Sequence, residues 1–200
     1  NMRFVNCDFS ETGVTGKYES HGPNTGVDIE NESFSTIENI YFTRCRFVKN
    51  INTQFIASGF DGVGAGRTTN VQLDYCHFEE NRKVEVIKDR SVMINTDNSS
   101  ITNSTIIGTL NFDVNGCIAN GQPDKGVLIK NCIIKTSGYG IRLNCDFKVR
   151  IENCTVEQMP NIDEESAKLS YPFIGGGPNV IIENNTFIYN SSNWRQGHST

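Results

Sequence analysis

Lys148-Val149-Arg150-Ile151-Glu152-Asn153-Cys154-Thr155-Val156 is the stretch on which the fold turns. Counting from Val149, apolar residues stand at the first, third and eighth places, and a small polar or thiol residue at the sixth. The same template fits Met2, Phe4, Cys7 and Phe9, then Ile40, Phe42, Cys45 and Phe47, then Val71, Leu73, Cys76 and Phe78. It returns at Val127, Ile129, Cys132 and Ile134, and closes with Val180, Ile182, Asn185 and Phe187. A weaker copy, Ser99, Ile101, Ser104 and Ile106, fills the one long gap. Successive copies start roughly 22 to 38 residues apart, which is solenoid spacing.

Apolar side chains two residues apart share one face of a strand. Moving on to the sixth and eighth places shifts the parity by one, so a bend separates two short strands. Asn6, Asn131, Asn153 and Asn184 stand just before the sixth place, and Asn tolerates left-handed backbone. Strand, bend and strand, repeated with variable loops, predict an all-β, right-handed, single-stranded parallel β-helix of about seven coils. Stacked coils share one core, and at ~4.8 Å per coil the rod is about 30–35 Å long. The sixth-place column is Cys7, Cys45, Cys76, Ser104, Cys132, Cys154 and Asn185. It reads as internal packing by small thiols rather than as disulfides, and the total of seven cysteines is odd.

A second strand type, Val27-Asp28-Ile29-Glu30-Asn31, turns Val27 and Ile29 inward and Asp28 and Glu30 outward. Val84-Glu85-Val86, Cys117-Ile118-Ala119-Asn120 and Ile141-Arg142-Leu143-Asn144-Cys145 are read as its echoes, each the second wall of a coil. Residues 1–190 are expected to form the β-helix domain, and residues 191–200 a polar tail or the lead into another domain. Asn1 already stands in a repeat without a cap, so the sequence is expected to be a segment of a longer chain or to be capped by partners. A short helix is expected around Asp163 to Lys168, in the longest departure from the repeat.

Formal net charge is −5 and Lys/Arg runs are absent, which argues against nucleic acid and anionic membrane surfaces as partners. No stretch has the ~18 apolar residues of a transmembrane helix, so membrane insertion is not expected. Mostly unpaired cysteines point to assembly in a reducing compartment. The Gly-rich loop Ser58 to Thr69 lacks the Lys-Ser/Thr and the helix of a phosphate cradle. His21, His77 and His198 are scattered, and no acidic loop has ligand spacing, so neither a metal nor a cofactor is expected.

The repeats Asn39–Asn50, Asn70–Asn81 and Asn179–Asn190, with Thr25-Gly26-Val27-Asp28-Ile29-Glu30, resemble the right-handed parallel β-helix of the pectate-lyase-like superfamily. Their Cys- and Asn-rich style is most similar to bacteriophage tailspikes and pre-neck appendage proteins. The resemblance covers nearly the whole chain. It implies a homotrimer in the virion tail or appendage, assembled in the host cytoplasm, that recognises or degrades a host cell-surface glycopolymer such as a polysaccharide or teichoic acid. A secreted bacterial polysaccharide lyase, hydrolase or epimerase is the alternative, and a structural spacer of a trimeric fibre is a third. Asn95-Thr96-Asp97 matches one polygalacturonase motif, but the Asp-Asp pair and Gly-His-Gly are missing.

Glycan hydrolysis needs two carboxylates about 5–9.5 Å apart. Asp28 and Glu30, with Glu85 on a neighbouring coil, are the candidate catalytic set for a depolymerase of the hydrolase or lyase type. Asp113 is a further acid expected beside them, and Arg142 is placed to hold a substrate acid. Tyr139 and Trp194 offer flat faces for sugars. The same acids also fit a solvated strand face, and the same rings fit loop packing.

Overall fold

The computed structural model describes residues 1–11, 25–30, 36–50, 53–58, 67–79, 92–108, 110–113, 125–136, 139–144, 148–159, 171–174 and 179–188. In chain order the strands mark out successive coils. The first coil holds β1 (Met2–Val5) and β2 (Val27–Glu30), and the second β3 (Thr36–Thr43), β4 (Arg46–Val48) and β5 (Phe55–Ser58). The third holds β6 (Arg67–Asp74), β7 (His77–Glu79) and β8 (Val92–Asn95), and the fourth β9 (Ser99–Thr102), β10 (Thr105–Ile107) and β11 (Leu110–Asp113). The fifth holds β12 (Val127–Lys130), β13 (Ile133–Thr136) and β14 (Tyr139–Asn144), and the sixth β15 (Val149–Glu152), β16 (Thr155–Gln158) and β17 (Tyr171–Ile174). β18 (Val180–Glu183) and β19 (Thr186–Ile188) belong to the seventh.

Like strands of successive coils pair in parallel and build three sheets. The first is β1-β3-β6-β9-β12-β15-β18, the second β4-β7-β10-β13-β16-β19 and the third β2-β5-β8-β11-β14-β17. Seven strands in the first sheet give the seven coils that the repeat count predicts. In the first coil, Asp8 makes a single parallel bridge to Arg46 where a second-sheet strand stands in later coils.

Register turns the repeat into columns. Phe4 pairs with Phe42, Phe42 with Leu73, Leu73 with Ile101, Ile101 with Ile129, and Ile129 with Ile151. Phe47, Phe78, Ile106, Ile134, Val156 and Phe187 form the matching column of the second sheet. Phe42, Phe47, Leu73, Phe78, Ile101, Ile129 and Ile134 are all fully buried. The core of the early coils is aromatic. Phe47 stacks on Phe78 at 4.8 Å and on Phe9 at 5.2 Å, and meets the edges of Phe42 and Phe55 at 5.6 and 5.5 Å.

The bend between first and second sheets is left-handed in every coil. Asn6, Arg44, Tyr75, Asn103, Asn131, Asn153 and Asn184 all have φ between 51° and 56°. Each residue of this set up to Asn153 donates its backbone N–H to the next coil, as from Asn103 to the Lys130 carbonyl at 2.9 Å and from Asn131 to the Glu152 carbonyl at 3.0 Å. Asn accounts for five of the seven positions, as its tolerance of this conformation predicts. Arg44 and Tyr75 hold the same φ with exposed side chains.

Just inside the bend runs the thiol column. Cys7, Cys45, Cys76, Cys132 and Cys154 are free, and all but Cys7 are buried. The Cys76 thiol donates to the Phe42 and Asp74 carbonyls at 3.6 and 3.5 Å. Its backbone N–H donates to the Ser104 hydroxyl at 2.9 Å, so Ser104 serves the same column. Asn185 continues it, accepting from the Cys154 N–H at 2.7 Å and donating to the Ile151 carbonyl at 2.8 Å. Burial pushes the Cys76 thiol up to about 12, and the Cys154 sulfur together with burial pushes Cys132 up as well.

Four third-sheet strands, Phe55–Ser58, Val92–Asn95, Leu110–Asp113 and Tyr171–Ile174, are not among the walls expected from the sequence. Val27–Glu30 and the strand containing Ile141 are walls as predicted. In the third and fourth coils the walls are Val92–Asn95 and Leu110–Asp113; the expected echoes Val84–Val86 and Cys117–Asn120 lie outside the described residues. Leu110–Asp113 follows closely on β10, whereas Val92–Asn95 begins well beyond β7. The length of this connection changes from coil to coil, and apolar alternation alone does not reveal it. The helix expected around Asp163 and the tail 191–200 also lie outside the described residues.

Candidate functional site

Third-sheet register locates the predicted acids. Asp28 is exposed and pairs with Ile56, which pairs in turn with Met93; Met93 pairs with Asn111, and Asn111 with Arg142. Arg142 therefore shares a column with Asp28 but stands four coils along it, ~19 Å away at the backbone. Glu30 is two places along β2 and pairs with Ser58.

Asp113 is on β11, three coils from β2 in the strand order. Three rungs are ~14 Å, beyond the ~9.5 Å of the wider carboxylate pairing. Asp113 is thus not beside Asp28 and Glu30. It lies one coil from Arg142, paired with Asn144, while Tyr139 pairs with Tyr171 in the next coil. Glu85 and Trp194 lie outside the described residues. The expected cluster accordingly divides into Asp28 with Glu30 in the first coil, and Asp113, Arg142 and Tyr139 in the fourth and fifth.

The first sheet carries a feature that motif reading missed. An open groove of about 560 Å³ crosses its outer face over β6, β9, β12 and β15. Gln72, Ser100, Leu128 and Arg150 form a continuous outward column along it. The Ser100 hydroxyl donates to the Gln72 side-chain carbonyl at 2.5 Å, and the Gln72 amide donates to the Asn98 carbonyl at 3.1 Å. This end of the groove is neutral and rich in hydrogen-bonding groups.

The other end is cationic. Lys125, Lys130, Lys148 and Arg150 line it with one carboxylate, Glu152, while Asp97 at the rim and Glu183 beside Arg150 stand next to it, four cations against three acids in a chain of formal net charge −5. Glu152 meets Lys130 at 3.1 Å and also pairs with Arg150. The Lys130 hydrogen bond, with Arg150 beside it, holds the Glu152 carboxyl below the usual range. Arg150 reaches Glu183 of the last coil at 3.1 Å. Rows of this kind follow from parallel stacking, because residues at one outward place of successive repeats become neighbours on the surface.

Backbone chemistry fixes the rim. Gly126 has φ +74°, and a Cβ there would lie 2.0 Å from the Lys148 carbonyl oxygen, so only glycine lets the two coils approach. Val127 N–H donates to that same oxygen at 2.9 Å. The Asp97 carboxylate accepts from the backbone N–H groups of Lys125 and Gly126 at 2.8 and 2.7 Å, which anchors the chain at Lys125.

Among the described residues, no group of three or more His, Cys, Asp or Glu is arranged to hold a metal ion, and no helix is long and apolar enough to cross a membrane. The family model for the right-handed β-helix region matches residues 1–161, and the chain belongs to that family. Neither a curated protein nor a solved structure matches it.

Proposed function

We propose that this β-helix recognises a host cell-surface glycopolymer, polysaccharide or teichoic acid, as part of a bacteriophage tailspike or appendage. The observation that carries the proposal is the groove on the first sheet. It is open and elongated along the stack, and it is built from strands hydrogen-bonded on both sides. A polymer binder gains from such rigidity because little conformational freedom is lost at the protein on binding. In this proposal the chain works as a homotrimer on the virion, and Asp28 with Glu30 supplies any cleavage of the bound polymer.

The test is incubation of the protein with an array of bacterial polysaccharides and teichoic acids, following both retention and the appearance of new reducing or unsaturated ends. Retention of at least one polymer is expected. Ends that appear with the wild type and vanish with Asp28→Asn/Glu30→Gln assign a depolymerase to the third sheet. Failure to retain any polymer would overturn the proposal in favour of a structural spacer.

A further inference from the structure

We infer that the groove on the first sheet is a subsite for an acidic glycopolymer, binding its carboxylate or phosphate groups between Lys125, Lys130, Lys148 and Arg150. This rests on the proposal that the chain recognises a glycopolymer, and adds the chemical class and the place of binding.

Three features of the groove favour such a ligand over other anions. First, the cations belong to two neighbouring coils, the fifth with Lys125 and Lys130 and the sixth with Lys148 and Arg150. With Glu152, the rim acid Asp97 and Glu183 on Arg150 counted, the four cations still outnumber the acids beside them, opposite in sign to the chain as a whole. Second, the groove spans four strands, three rungs or ~14 Å, which is longer than a single anion occupies. The coils on one side of the cations offer Asn98, Ser100 and Gln72, which suit hydroxyl groups, and Leu128 lies between as an apolar surface for the C–H face of a sugar ring. Third, among the described residues no aromatic side chain lines the groove, and Tyr41, the neighbour of Gln72 in the same column, stands outside it. Single-stranded nucleic acid is held by stacking its bases on aromatic side chains, and the described lining residues offer none.

Glu152 has a definite part. It bridges Lys130 and Arg150 from adjacent strands, so both cationic side chains are held in place before a ligand arrives. A preorganised pair loses less side-chain freedom on binding.

The experiment measures binding of the whole chain by calorimetry to four probes. These are an oligogalacturonate, which carries carboxylates, its methyl ester, which is neutral, a glycerol-phosphate polymer, and single-stranded DNA. Each is titrated at low and at high salt into the wild type and into Lys125→Gln/Lys148→Gln. Both substituted residues are exposed, so the fold is expected to persist, and the two single variants serve if the double variant is unstable.

The expected result is binding of the oligogalacturonate, the phosphate polymer or both, well above the methyl ester and the DNA. Affinity should fall with salt and weaken about tenfold in the double variant, the effect of ~1.4 kcal/mol. Whichever acidic polymer binds more tightly identifies the source of the acid group. Binding of the neutral ester as tightly as the acid, or acid binding unchanged in the variants, overturns this inference and leaves glycopolymer recognition standing. Preference for DNA, or no binding of any probe, overturns this inference, and no retention on the glycan array as well overturns both.

Discussion

Replacing Phe47 by alanine should cost about 4–5 kcal/mol, the upper part of the range for a buried Phe→Ala change. The structure places it there for two reasons. The ring is fully buried among four others, stacked on Phe78 and Phe9 and edge-on to Phe42 and Phe55. Aromatic pairs add ~0.5–1.5 kcal/mol beyond area alone. The cavity also cannot readily collapse, because β4 is paired to β7 and bridged to the first coil through Asp8 and Arg46. Urea unfolding followed by far-ultraviolet circular dichroism gives the free energy. A thermal scan should show a midpoint lower by roughly 10–15 °C for a chain of this size. Phe187→Ala, in the same column but only partly buried in the last coil, should cost only about 1–2 kcal/mol. If Phe47→Ala costs less than about 2 kcal/mol, or no more than Phe187→Ala, the shared aromatic core described above is not what closes the early coils.

Asn153→Val should destabilise by about 1–2 kcal/mol because φ is 53° there, while Asn153→Gly should remain within about 0.5 kcal/mol, both read from denaturant midpoints. Cys76 should resist thiol reagents at pH 8 until the chain unfolds, counted by mass after alkylation, since burial keeps it protonated. Its folded pKa of about 12 is raised, so its contribution to stability is complete below ~8.5 and is lost as pH rises from there toward 12. Glu152 behaves in the opposite sense. Its folded pKa is lowered, so its contribution is present above ~4.3 and lost as pH falls through the folded value, and Glu152→Gln should flatten the acid limb of a thermal-midpoint profile.

The first and second sheets were legible because their columns repeat a fixed count of residues across one bend. Val149, Ile151, Cys154 and Val156 keep the same spacing as Val71, Leu73, Cys76 and Phe78, and the bend leaves no room to vary it. The left-handed corner was legible at Asn131 and Asn153, where the residue type advertises the conformation. It was silent at Arg44 and Tyr75, whose side chains are exposed and carry no such preference. The third sheet was legible at Val27 and Ile141. It was not legible at Val92 and Leu110, which form walls after connections of different length.

The site was harder. Asp28, Glu30 and Asp113 share a sheet, but rung number separates them, and rung number could not be assigned while the third-sheet strands were uncertain. The groove cations were hidden differently. Lys125, Lys130, Lys148 and Arg150 are spread through the sequence, and their sign disappears in a net charge of −5. The signal was still present in the opening stretch, where Lys148 and Arg150 take alternate outward places. Aligning the repeats and reading the outward columns as well as the inward ones would have found it.

The columns also make the rod modular in an evolutionary sense. Cys76, Ser104 and Cys132 occupy the same place in consecutive coils, and their neighbours in register are interchangeable in kind. A duplication or deletion that begins and ends at equivalent bends would therefore lengthen or shorten the rod by a whole coil, ~4.8 Å at a time, while leaving every remaining column continuous. Rod length could then change while the outward columns of the grooved coils, and hence the groove itself, stay the same.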